Sequence, residues 1–140
     1  MVKVDSDCIF CKIVAGDIPC AKVFESENIL AFLDIAPVNA GHALVLPKGH
    51  YPTLMDIPVE LGNELLQALS SVGRAVMEAT GADGLNLMQN NHEAAGQLVH
   101  HAHYHLIPRF ADDGLRLWPQ SSYEQDEMKR IATSIAELLK

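Results

Sequence analysis

The stretch Gln97-Leu98-Val99-His100-His101-Ala102-His103-Tyr104-His105-Leu106-Ile107 decides how this chain reads. Four of its seven histidines fall within six residues, and three of them alternate with apolar or aromatic neighbours. A strand over 101–107 sends His101, His103 and His105 to one face, roughly 6.6–6.8 Å apart. Ala102, Tyr104 and Leu106 then face a core, and His100 breaks the alternation and belongs to that second face. Imidazole is a nucleophile, a proton carrier and a metal ligand. Each positive charge disfavours the next, so a crowded set of rings stays largely neutral near pH 7. A neutral ring is the form that attacks an electrophile. Two other readings compete: a solvated, histidine-rich strand face, and a metalloenzyme using His101, His103 and His105 together as ligands.

Outward from that stretch, the pattern is that of an α+β domain with a mostly antiparallel sheet. Ile9, Phe10, Ile13 and Val14 suggest a short helix ending at Gly16. Strands are expected at Ala21–Ser26, Ile29–Ile35, Ala43–Leu46 and Leu85–Gln89. Leu61, Leu65, Leu69, Val72 and Val76 recur at helical spacing between Val59 and Thr80, with Gly81 as C-terminal cap. Met128, Ile131, Ala132, Ile135, Leu138 and Leu139 form the stripe of a last helix, with Ser122 and Gln125 as a capping-box start. Neither a repeat nor a long linker divides the 140 residues, which reads as one domain over 1–140.

Eighteen acids against ten bases give a net charge of −8, which argues against a broad grip on nucleic acid polymer. No apolar run approaches the ~20 residues that span a bilayer. The first residues lack the apolar stretch of a signal peptide, so a cytoplasmic location is expected. Three cysteines are an odd count, pointing to metal or free-thiol roles rather than a disulfide framework. Cys8 and Cys11 form a Cys-x-x-Cys pair, which fits half a zinc site, a redox pair, or two packed thiols.

The segment Gly96-Gln97-Leu98-Val99-His100-His101-Ala102-His103-Tyr104-His105-Leu106-Ile107-Pro108-Arg109 resembles the signature of the histidine triad (HIT) nucleotide-binding proteins. Ile9-Phe10-Cys11-Lys12-Ile13, Ile18-Pro19, Phe32-Leu33-Asp34-Ile35-Ala36-Pro37 and Gly41-His42-Ala43-Leu44-Val45-Leu46-Pro47-Lys48 resemble further segments of the family. The likeness covers roughly 7–110; residues 111–140 form a divergent tail and C-terminal helix.

The resemblance implies a HIT-like fold with a five-stranded sheet, and a homodimer that joins the two sheets. The Leu61–Val76 helix is a candidate contact surface, and Trp118, in the divergent tail, is a candidate to reach the partner's site. The resemblance also implies a nucleotidyl hydrolase or transferase of the zinc-binding bacterial type, acting at the α-phosphorus of purine nucleoside phosphoramidates or related nucleotides through a nucleotidyl-histidine. By the same resemblance His103 is the nucleophile, and His105 and His42 assist it. Asn90 and Gln97 lie near the phosphate, and Asp34 binds the ribose. Phe32, Ile35, Ile9, Phe10 and Ile13 line the purine slot. Cys8, Cys11, His50 and His101 hold a structural zinc, and Cys20 is a packed thiol outside that set. Family phosphoramidases commonly carry serine where this chain has Leu98, which bears on the leaving group. Alternatives are a dinucleoside polyphosphate hydrolase and a nucleotide-binding interaction module with incidental turnover.

Overall fold

The structure is a computed structural model that describes residues 2–140. Helix α1 spans Ile9–Ala15 and stops where Gly16 takes a left-handed conformation, φ 86°, that a side chain would disfavour. Strands β1 (Lys22–Glu25), β2 (Ile29–Leu33) and β3 (Ala43–Pro47) follow, then helix α2 (Gly62–Thr80), β4 (Gly84–Gln89), β5 (Tyr104–Arg109) and helix α3 (Glu127–Leu138). The strands form one sheet in the order β1-β2-β3-β5-β4, and every adjacent pair runs antiparallel. This is the α+β, five-stranded arrangement expected from the sequence.

Both faces of the sheet are covered, which explains why central strands β2 and β3 are apolar almost throughout. On one face Leu65, Ala68, Val72 and Val76 of α2 pack on Ile29, Ala31, Ala43, Val45, Tyr104 and Leu106. On the other, Cys8, Phe10 and Cys11 at the start of the chain pack on Leu30, Phe32, Leu44 and Leu46. Leu46 is fully buried, so truncating it to alanine costs about 2–5 kcal/mol. The second layer is thin, and the space beside α1 becomes the site. Gly41 sets the other end of the molecule. Its φ is 98°, and a Cβ there would lie 2.5 Å from Thr80 Cγ2, at the end of α2.

Several expectations need correction. β5 begins at Tyr104, not His101, because the Ala102 N–H is drawn to the Tyr51 carbonyl at 2.7 Å instead of joining a ladder. The alternation survives: Ala102, Tyr104 and Leu106 are buried in the core as expected. His100 lies exposed in the turn before it. β2 stops at Leu33 because the Asp34 carboxylate accepts the Ala36 N–H and turns the chain, leaving Ile35 fully exposed. A 3₁₀ turn over Val59–Leu61 precedes α2. The residue before α3 is Asp126, with φ 62° and no side-chain cap, so the Ser122–Gln125 capping box does not form. The stripe of α3 forms as expected, and its Met128, Ile131, Ile135 and Leu138 are exposed.

Candidate functional site

The segment between residues 97 and 105 presents its histidines to two separate clusters. Upstream, His101 is completely buried, and its Nε2–H donates to the Pro47 carbonyl at 2.8 Å. A carbonyl only accepts, so a neutral His101 carries its proton on Nε2 and turns the Nδ1 lone pair the other way. That nitrogen lies 3.5 Å from Cys8 Sγ and 3.6 Å from Cys11 Sγ, and His50 Nδ1 lies 3.4 Å from Cys11 Sγ. The ligand atoms of Cys8, Cys11, His50 and His101 all fall within 4.8 Å of one another. Two sulfurs and two imidazole nitrogens converging in this way fit a tetrahedral zinc. A cation there would tie α1 to the residue two before His103, leaving no open coordination position for chemistry. Burial pushes the Cys11 thiol above its usual range, so a metal entering must displace protons and binding falls with pH.

Downstream, three rings stand together, and His42 and His105 form a relay. The Val38 N–H donates to His42 Nδ1 at 3.1 Å, so a neutral His42 is protonated at Nε2. His42 Nε2 and His105 Nδ1 are 2.9 Å apart, which makes His105 Nδ1 the acceptor and places its proton on Nε2, at the cavity. His103 Nδ1–H donates to the His101 carbonyl at 2.7 Å, leaving the Nε2 lone pair of His103 unprotonated. Burial lowers the pKa of His42 and of His103, and burial together with the neighbouring rings brings His105 down to about 4. The relay is therefore neutral at pH 7.

Asp34, His42 and His105 also bring ligand atoms within 4.8 Å of one another. His42 Nε2 must carry a proton while Val38 occupies Nδ1, which leaves that nitrogen without a lone pair for a cation. The three-histidine metal reading fails for a related reason: His101 Nδ1 points at the cysteines and His105 Nδ1 at His42, so the rings do not converge.

The relay opens on a cavity of 490 Å³. Its walls include Ile9, Phe10, Ile13, Phe32, Asp34, Ile35, Asn90, His103 and His105, so most residues singled out from sequence come together here. Phe10 packs edge-to-face with Phe32 and with His103, the ring centroids 5.7 and 5.0 Å apart. Asp34 Oδ2 lies 3.8 Å from His42 Nε2. Leu98 is 90% exposed at the rim, and Cys20 is an exposed rim residue rather than a packed thiol.

Gln97 does not reach the cavity lining. It is 2% exposed, its Oε1 accepts the His92 N–H, and its Nε2 donates to the carbonyls of Pro52 and Val99. With those bonds made, it shapes the loop. That loop is strained: His92 has φ 71° and ψ 160°, a region normally left to glycine. Sequence reasoning also missed Asn39 and Asp113. Asp113 receives Arg109 through Nε at 2.7 Å and Nη2 at 3.0 Å, a bidentate pair. Trp118 lines a cleft with Leu87 and Met88 of β4.

Comparison with known proteins agrees with this geometry. The model of the HIT domain matches residues 15–112. The adenosine 5'-monophosphoramidase hnt1 of Schizosaccharomyces pombe is 41% identical over 135 residues, covering 95% of this chain and 98% of that protein. A solved structure from Streptococcus mutans superposes with a TM-score of 0.92 at 42% identity, covering 100% of this chain and 90% of that one. A zinc-bound histidine triad protein from Mycobacterium smegmatis superposes at 0.68 with 37% identity, covering 94% and 95%. Sequence, fold and the arrangement of the histidines agree, and the chain belongs to the HIT domain family.

Proposed function

We propose that this HIT-family hydrolase cleaves purine nucleoside phosphoramidates, or closely related nucleotides, through a nucleotidyl-histidine on His103. The observation that carries the reading is the His103 Nδ1–H bond to the His101 carbonyl, which leaves an unprotonated Nε2 at the cavity. In the first displacement His103 Nε2 bonds to the α-phosphorus. The phosphorus–nitrogen bond breaks, and the amine leaves with its electron pair and takes up a proton. Water then attacks the same phosphorus and releases the nucleoside monophosphate and a free His103. Splitting the reaction this way replaces one hard step with two easier ones. The His105 Nε2–H meets the charge that collects on the phosphoryl oxygens, where such donors matter most. The Asp34 carboxylate accepts from the ribose hydroxyls, and the slot between Ile9, Phe10, Ile13, Phe32 and Ile35 takes the base. Asn90, whose Nδ2 lies beside Gly96, faces the phosphate.

Zinc on Cys8, Cys11, His50 and His101 is structural in this reading; the convergent donors and the zinc-bound relative support it. No described helix is long and apolar enough to cross a membrane. Cys8, Cys11 and Cys20 form no disulfide, and we place the protein in the reducing setting of the cytoplasm. β4 is an edge strand, and we assign it to the contact of a homodimer in which two sheets become one. Residues 1–140 act as one HIT domain. The test is capture of a covalent adduct: wild type mixed with an adenosine phosphoramidate and quenched gains the mass of one adenylyl group, located on His103. His103→Ala gains none, loses at least about 10³-fold in kcat, and still binds AMP. An adduct in that variant, or its full turnover, refutes the reading.

A further inference from the structure

The turn between β2 and β3 holds His42 by its backbone, and one side chain ties that turn down. Asn39 Nδ2 donates to the Pro108 carbonyl at 2.9 Å and to Asp113 Oδ2 at 3.2 Å. The Asn39 carbonyl accepts the His42 N–H at 3.0 Å. Beside it, the Val38 N–H meets His42 Nδ1. Asp113 is itself fixed by the two bonds from Arg109 and by the Phe110 and Leu115 N–H groups. A rigid anchor at the end of β5 thus reaches across to the turn that presents the Val38 amide.

We propose that Asn39 is a positioning residue: anchored on Asp113 and Pro108, it holds the Val38 amide against His42 and thereby sets the tautomers of both His42 and His105. A free imidazole chooses between two neutral forms, and the choice here is made by one amide. With Val38 in place, the His42 proton is on Nε2, His105 receives it at Nδ1, and the His105 proton faces the cavity. If the turn relaxes, His42 takes its proton on Nδ1 for part of the time. His42 Nε2 then becomes an acceptor, His105 must donate from Nδ1, and its Nε2 presents a lone pair to the phosphoryl group where a donor is needed. The consequence for turnover rests on the phosphoramidate reading; the consequence for the rings does not.

The ring states are read directly in ligand-free, ¹⁵N-labelled protein at neutral pH from two-bond ¹H–¹⁵N correlations of the imidazoles. Wild type should show His42 and His105 each protonated at Nε2. In Asn39→Ala, His42 should show a substantial Nδ1-protonated share and His105 should follow it. kcat should fall about tenfold or more, as expected when a tautomer is lost, while AMP affinity changes less than about threefold. A purely structural role would lower the melting temperature and leave the ring pattern alone. An unchanged His42 pattern in a folded Asn39→Ala protein overturns the proposal, as does a fall in kcat without one. Should that variant not fold, Asn39→Ser, whose shorter side chain carries a single O–H and cannot make both anchoring bonds, decides by the same spectrum: a mixed pattern supports the proposal and an unmixed one overturns it. If wild type turns over no nucleoside phosphoramidate, the substrate reading falls while the ring spectra still judge Asn39.

Discussion

The two histidine clusters share one short piece of chain, which gives His101 to one and His103 and His105 to the other, and they have opposite designs. At Cys8, Cys11, His50 and His101, lone pairs converge on a shared point, and the far nitrogen of His101 is spent on the Pro47 carbonyl. At His42 and His105, N–H donors follow one another along a line that ends at the cavity, and His103 stands beside it, bonded to the His101 carbonyl. The difference lies in the backbone group behind each ring. A carbonyl behind Nε2 frees the Nδ1 lone pair of His101; a carbonyl behind Nδ1 frees the Nε2 lone pair of His103; an amide behind Nδ1 makes His42 a donor through Nε2. In the function proposed above, one cluster holds the protein together and the other does chemistry on a substrate.

The largest effect should separate them outright. Stripping metal with a chelator, or replacing Cys11 with serine, should lower stability by an amount on the order of 10 kcal/mol, read as a fall in melting temperature of well over 10 °C. A protein that melts unchanged after chelation has no metal knot. On the other side, His105→Ala should lower kcat by about 10²–10³-fold, the usual effect of losing one donor to a developing oxyanion. Its melting temperature should move only a few degrees, and a large thermal shift with intact turnover would reverse the assignment of roles.

Acid should strike both clusters through the same sign. The folded pKa values of His42, His101, His103 and His105 lie below the ordinary histidine value, with burial the leading cause. The unfolded chain therefore binds more protons on the way down, and the stability these rings contribute is present above about pH 6.5 and lost as pH falls toward about 4. For His101, fully buried and brought to about 4, this is worth about 3 kcal/mol in metal-free protein. Denaturant midpoints measured from pH 7 to 4 should fall continuously, and a flat profile would place the rings in contact with water. The smallest expected change is at the ribose. Asp34→Ala should raise KM for ribonucleotide substrates by about 10–100-fold, the loss of hydrogen bonds to a charged acceptor, with kcat nearly kept and 2′-deoxy substrates affected less.

Much of this was legible in the sequence because it depends on periodicity. Alternation placed Ala102, Tyr104 and Leu106 in the core, and helical spacing placed Leu65, Val72 and Val76 on the sheet. The cavity-lining residues were legible because the family's motif carries them as a set. What escaped depends on where single hydrogen bonds go. Nothing in the sequence says that the Ala102 amide turns to Tyr51, that Gln97 spends its amide on three backbone groups, or that Asn39 is an anchor rather than loop filler. Arg109 and Asp113, four residues apart with opposite charge, were the one available signal for that anchor. The stripe of α3 was legible as a helix but its exposure was not, since amphipathic spacing says that a face is apolar without saying what meets it.

The bare side chain of Ile35 has a thermodynamic consequence. It stands in water at the mouth of the cavity, with the exposed Leu98 and the half-exposed Ile9 also on the lining. Any molecule that settles there strips ordered solvent from hydrocarbon, so association must carry a negative heat-capacity change and grow more exothermic on warming. Departure must rewet the same surface, which couples the escape of the spent nucleotide to the cost of hydrating three aliphatic side chains.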